Sequence, residues 1–170
     1  ENMGSPEIGG SSSGYVHEKK AHLFFRDANQ HVAHLSGALS SYVAEDLSLI
    51  GAANAASDPK AFTDATGMHR ILYRDGSGNL QSLVEEGASF KPVDLSRATF
   101  FAPASGNPMG FVSECTSHAV YVDTNHHVRL VETLGSDEGS VDLSALAGIT
   151  EDAYSDPQGF ADQNGTMHVV

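Results

Sequence analysis

The stretch at residues 71–86, ILYRDGSGNLQSLVEE, decides how this chain is read. An apolar run (Ile71, Leu72, Tyr73) meets a polar tip of Asp75, Gly76, Ser77, Gly78 and Asn79, and a second apolar set (Leu80, Leu83, Val84) follows. Aliphatic and aromatic residues around a Gly/Asn/Asp cluster read as a β-hairpin, because such residues take positive φ at low steric cost.

The hairpin occurs three times. FFRDANQHVAHL (24–35) lies without gaps over LYRDGSGNLQSL (72–83) and VYVDTNHHVRLV (120–131). Its turn aspartates are Asp27, Asp75 and Asp123, and a branched apolar residue stands five positions on at Val32, Leu80 and Val128. Asp-Leu-Ser begins at Asp46, Asp94 and Asp142, and Pro-x-x-Phe recurs as Pro59/Phe62, Pro108/Phe111 and Pro157/Phe160. Three markers in one phase, at steps of 48 or 49 residues, indicate a repeat protein. Units run over about 5–57, 58–106 and 107–155, with a partial fourth at 156–170, in a single repeat domain (1–170). The Ser5-Pro6 pair reads as a decayed first strand behind a Gly/Ser-rich lead-in, and residues 15–21 lead into the first hairpin. The last unit stops inside its second strand, so either the chain is cut there or other strands complete the edge.

Short strands between turn clusters give an all-β fold. The second unit places strands near 60–63, 69–74, 80–84 and 90–95, and the third near 110–113, 118–122, 128–132 and 140–143. Residues 51–56 and 102–106 are small-residue connectors, and no amphipathic helix of three turns stands out. Two architectures fit: a β-propeller of four-stranded blades, and a three-unit β-trefoil. The propeller is preferred because LFFR and ILYR are apolar at consecutive positions, as strands packed on both faces must be.

Nine basic against 22 acidic side chains give a net charge of −13, which repels phosphate backbones and argues against nucleic acid as a partner. The same charge keeps a surface soluble. No apolar run reaches the length of a membrane span, and no signal-peptide pattern opens the chain, which leaves the compartment undetermined. Cys115 is the sole cysteine and reads as a buried thiol, with no disulfide or thiolate metal cluster available to it.

His69, Tyr73, Arg74 and Asp75, with Asn79 to Leu83 and Asp94-Leu95-Ser96, resemble the repeat of bacterial propeller lectins, of the fucose-binding and Photorhabdus-type seven-bladed kinds. Counterparts lie at 118–123 and 22–27, and the likeness covers nearly all of 20–170. The resemblance implies glycan pockets between blades, possession of a fucose- or galactose-type ligand, and no catalysis. The chain departs from that repeat where a tryptophan precedes Asp-Leu-Ser: the place holds Tyr42, Phe90 and Glu138, and the chain has no tryptophan. Three and a third units also leave two apolar blade faces bare, so self-association is expected to close the ring, most simply from two copies.

Arg26 and Arg74 precede the turn aspartates, with Val122 in the third unit, and Tyr73 and Tyr121 (Phe25 in the first unit) stand beside them. An arginine fork bonds hydroxyls while an aromatic ring covers apolar C–H faces, so Arg26, Arg74, Tyr73, Tyr121, His34 and Glu85 are the candidate ligand-binding residues. The competing reading is an arginine that bridges strands or pairs with its neighbouring aspartate. Nine histidines invite a metal site, but adjacent His126 and His127 at a tip point apart, and no metal or other cofactor is expected. The tip at 75–79 lacks the spacing of an EF-hand loop, and no hydrolase or phosphate-loop motif is present. Glu85-Glu86 and Asp137-Glu138 read as solvated strand ends. The runner-up function is a propeller scaffold for protein–protein interaction without sugar binding, and a propeller hydrolase is a distant third.

Overall fold

In the computed structural model, which describes residues 7–38, 41–96, 102–132 and 140–170, each hairpin is built on its aspartate. Asp75 Oδ1 accepts the backbone N–H groups of Ser77 and Asn79 at 2.8 and 2.9 Å. Asp27 holds Asn29 and His31 at 2.8 Å each, and Asp123 holds Asn125 and His127 at 2.8 and 3.0 Å. A carboxylate that satisfies two turn donors fixes the strand register on either side. The left-handed residue of the turn is Gly78 (φ 85°), with Gln30 (67°) and His126 (63°) in the same place.

The first sheet comprises β1 (Ser13–His17), β2 (Lys20–Arg26), β3 (Val32–Ala38) and β4 (Ser41–Asp46). The second comprises β5 (Lys60–Thr63), β6 (His69–Arg74), β7 (Leu80–Glu86) and β8 (Ser89–Asp94). The third comprises β9 (Met109–Ser113), β10 (Thr116–Val122), β11 (Val128–Glu132) and β12 (Val141–Asp142), and β13 (Gly159–Ala161) pairs with β14 (Met167–Val169). Every sheet is an antiparallel meander in chain order. First strands of successive sheets lie side by side (β1 with β5, β5 with β9, β9 with β13), so the sheets fan out from a common line. This is β-propeller architecture with four-stranded blades, and separate meanders exclude the trefoil.

Asp-Leu-Ser ends each blade by local chemistry. Asp46 and Asp94 accept from Ser48 and Ser96 N–H at 2.9 Å, and Asp142 from Ala145 N–H at 2.8 Å. The serine hydroxyls in turn accept from the first N–H of the third strand, at Val32 (3.2 Å), Leu80 (2.7 Å) and Val128 (3.0 Å). The carboxylate therefore stops the outer strand, and the hydroxyl takes over its ladder bond. The chain then turns through a 3-10 segment (Leu47–Ile50) or a one-turn helix (Leu143–Leu146), so the strand expected near 140–143 ends at Asp142.

Residues of the second sheet pack alternately to its two sides. Ile71, Tyr73 and Leu83 join Phe24 and Val32 of the first sheet and Leu47 of the 3-10 segment that follows it, while Leu72 and Leu80 join Ala119, Tyr121 and Val131 of the third. Pro-x-x-Phe has a related role. A Cβ at Gly110 would lie 2.3 Å from the Phe62 ring, and one at Gly159 would lie 2.4 Å from Phe111, so each aromatic ring rests on the small residue of the next blade. Polar contacts recur at the same step: Asp58 N–H donates to Asn107 Oδ1 at 2.8 Å, and Asn107 N–H to Asp156 Oδ1 at 2.7 Å.

Two expectations change. Cys115 is exposed, because it forms with Glu114 the two-residue β9–β10 turn, both at positive φ (64° and 45°). Residues 15–21 hold most of a β1–β2 hairpin rather than a lead-in. Ser5-Pro6, Asp137 and Glu138 lie outside the described residues.

Candidate functional site: the cleft between the first two sheets

His34 and Glu85, from different sheets, line one cleft of about 460 Å³. β2 and β3 bring His22 and His34 to the face of the first sheet that meets the second, and β4 adds Glu45. β7 carries Glu85 across from them, and β8 supplies Phe90. The floor is aromatic. The His34 ring stacks on Phe24 at 4.6 Å with 3° between planes, and meets the Phe90 ring edge-on at 5.2 Å. Tyr15 stacks on His69 of the second sheet at 3.8 Å and on His22 at 4.9 Å.

The imidazoles are polarised in series. His34 Nδ1 lies 3.4 Å from Glu45 Oε2, and His34 Nε2 lies 3.1 Å from His22 Nδ1. Burial lowers the pKa of both rings, against the pull of Glu45 on His34 and of Glu85 on His22. In the neutral pair the carboxylate can only accept, so His34 donates from Nδ1, its Nε2 accepts from His22 Nδ1, and His22 Nε2 is left as an acceptor. Among the described residues the buried Tyr15 hydroxyl has no partner of good hydrogen-bond geometry, and burial, then the charge of Glu85, raises its pKa. A concave surface with carboxylates, an imidazole acceptor, the Lys20 ammonium and ring faces can meet a ligand that both donates and accepts.

The other four candidates serve the framework. Tyr73 and Tyr121 have no exposed surface, and their hydroxyls donate to the carbonyls of Ala53 (3.0 Å) and Ala102 (2.9 Å), pinning the connectors. Neither ring offers a face to a ligand. Arg74 donates to the carbonyls of Ala56 (2.8 Å), Gly106 (3.3 Å) and Asp75 (3.4 Å). Arg26 donates to Gly9 carbonyl at 3.1 Å and lies 3.8 Å from Asp58. These arginines tie connectors rather than pair with the carboxylates of their own turn aspartates. His127 is likewise committed, to Asp142 at 2.8 Å, with the matching His31–Asp46 contact also 2.8 Å. Sequence reasoning missed His22, Glu45 and Phe90 as cleft residues, and Tyr15 as the ring that stacks on His22. The one available signal was that His22 and His34 stand opposite Ser36 and Phe24 on paired strands, inside the first hairpin.

No protein-family model matches the chain, and no curated protein matches it. Among solved structures, the fold is similar to a fucose lectin from Kordia zhangzhouensis in complex with methyl-fucoside, with a TM-score of 0.50 and 11% identity over 78% of this chain and 96% of that one. It is also similar to AofleA from Arthrobotrys oligospora, with a TM-score of 0.56 and 10% identity over 93% of this chain; the match spans 48% of the AofleA chain. At these identities the likeness establishes the fold alone.

Proposed function

We propose that this chain is a non-enzymatic, lectin-like propeller module that binds a glycan between its first and second blades. The observation that carries the reading is the meeting of His34 and Glu85, from two sheets, in one polar cleft floored by aromatic rings. Sugar hydroxyls both donate and accept, so carboxylates (Glu45, Glu85) and the His22 lone pair complement them, while Phe90 covers a C–H face. The likeness to a fucose lectin makes a fucose-type ligand the first to try, with galactose second.

Titration calorimetry with methyl-fucoside and methyl-galactoside, beside a glycan array, tests this. Saturable binding weakened at least tenfold by Glu85→Gln and by His34→Ala is expected. A blank array at high protein concentration would favour the scaffold reading instead.

Self-association belongs to the same proposal. Leu23 on β2 is 39% exposed, whereas Ile71, its counterpart in the second sheet, is fully buried. Phe160 is 48% exposed, whereas Phe111 is 7%. Both bare faces are those that a neighbouring blade covers inside the fan, so a second copy would bury them. Sedimentation at micromolar concentration should show a dimer or larger species; a stable monomer overturns this part.

A further inference from the structure

Arg26, Arg74 and Val122 hold one register position, at the ends of β2, β6 and β10. In the first two blades the guanidinium is seated between two connectors. Gly9, Ala56 and Ser105 are equivalent in the near connector, since each donates its N–H to the carbonyl of Arg26 (2.7 Å), Arg74 (2.8 Å) or Val122 (2.8 Å). The carbonyls of Gly9 and Ala56 accept from the arginine of their own blade. The far connector supplies Asp58 to Arg26 and the Gly106 carbonyl to Arg74. The ladder from Asp58 through Asn107 to Asp156 makes Ser155 the counterpart of Gly106 and Asp156 the counterpart of Asp58. Both connectors are therefore present in the third blade, but Val122 is too short to enter the seat. An open cavity of about 550 Å³ lies there, lined by Ser105, Val122, Ser155 and Asp156, with His126 and Tyr154 also on its wall.

We propose that this cavity binds the guanidinium group of an arginine side chain from outside the chain. The third blade keeps the counterparts of the acceptors that hold Arg26 and Arg74 in the other two, with Asp156 also accepting from the Asn107 N–H at 2.7 Å and from Asn107 Nδ2 at 2.5 Å. A planar fork suits two carbonyls and a carboxylate better than a compact ammonium does. Tyr154 is 87% exposed, its hydroxyl donates to Asp152 at 3.4 Å and its ring is 6.2 Å from that of His126, which leaves the ring accessible to cover the face of a bound guanidinium. The net charge of −13 draws cations to the surface. The site is separate from the glycan cleft and stands independently of it.

The test is a titration of the full chain with N-acetylarginine amide, followed by amide chemical shifts, with N-acetylcitrulline amide as the neutral isostere. Saturable shifts at Ser105, Gly106 and Tyr154 are expected, with citrulline at least tenfold weaker. Val122→Arg should fill the seat from within, weaken binding at least tenfold and raise the Tm. Absent saturation, equal binding of the two probes, or unchanged affinity in folded Val122→Arg overturns the proposal. Should that variant fail to fold, Tyr154→Ala replaces it: weaker arginine binding supports the site, and unchanged affinity overturns it.

Discussion

The seam between the first and second blades and the seam between the second and third share one backbone plan and differ in chemistry. At the first, β2 and β3 present His22 and His34 beside Glu45, and a cleft stands open. At the second, the corresponding residues are Arg70 and Ser82, both buried. Arg70 Nε donates to Asp64 Oδ2 at 2.6 Å, with side chains 6% and 0% exposed. Asp64 is also tied down by the N–H groups of Thr66 and Met68 at 2.8 and 3.0 Å. The Ala65 N–H then donates to Ser117 Oγ of the third sheet at 2.7 Å, which fastens the β5–β6 loop across the seam. One seam is closed by a buried ion pair, and the other opens as a cleft in which imidazole rings stand beside Glu45, Glu85 and Lys20. The strand plan sets where a seam lies; two side chains per blade set whether it is a closed joint or an open cleft.

The sharpest way to break this contrast is to remove the paired charge. Arg70→Ala leaves the Asp64 carboxylate buried without its cation and should cost about 3–5 kcal/mol in urea unfolding. His22→Ala, its counterpart at the open seam, should cost less than about 2 kcal/mol. Equal losses would mean that the two seams do the same mechanical work.

The ring-on-glycine contact comes next. Gly110→Ala puts a methyl into the Phe62 ring and should destabilise by about 1–3 kcal/mol, since overpacking forces neighbours off their rotamers. The first seam already carries a Cβ at this place, Ala61, packed against the core cluster shared by the first two sheets. Ala61→Gly should therefore cost no more than about 1 kcal/mol, from backbone entropy. Thermal unfolding of the two variants reads the difference.

A smaller effect is expected at the tyrosines. Tyr73→Phe removes one bond to a connector carbonyl, about 0.5–1.5 kcal/mol, and Tyr121→Phe removes the matching bond together with a hydrogen bond to Ser140, so it should cost at least as much; both should leave glycan affinity unchanged. Loss of affinity with stability intact would return these rings to the binding site.

The smallest effect is on pH dependence. Burial lowers the folded-state pKa of His22 and His34, and of His118 in the third sheet, so the unfolded chain binds more protons than the folded one below an imidazole's ordinary pKa of about 6.5. Their contribution is therefore present above about 6.5 and is lost as pH falls towards their lowered folded-state pKa values. A His22→Asn/His34→Gln variant should show a shallower loss of stability in acid than the parent. An unchanged slope would place the acid sensitivity at His118 or elsewhere.

Much of the fold was legible in the residues because its signals are local. An aspartate that gathers the N–H groups two and four residues on needs only its own turn, and Asp-Leu-Ser needs only the end of its own sheet. The β6–β7 hairpin and most strand positions of the second and third blades follow from such signals. The site was less legible. Arg74 and Tyr73 carry groups that suit a sugar, yet their partners are the carbonyls of Gly106 and Ala53, on connectors 32 and 20 residues away. His34 and Glu85 were picked out separately, with no indication that they share a cleft.

By itself, then, the sequence determined the blade: its turns, its register, its two apolar faces and the step at which it recurs. Tertiary structure alone decided which polar side chains are spent on the framework and which line an open cleft. The physical reason is that a turn closes over a few residues, whereas the exposure of Tyr73 or the partner of Arg74 depends on the neighbouring blade, and no local pattern encodes what will be packed against it.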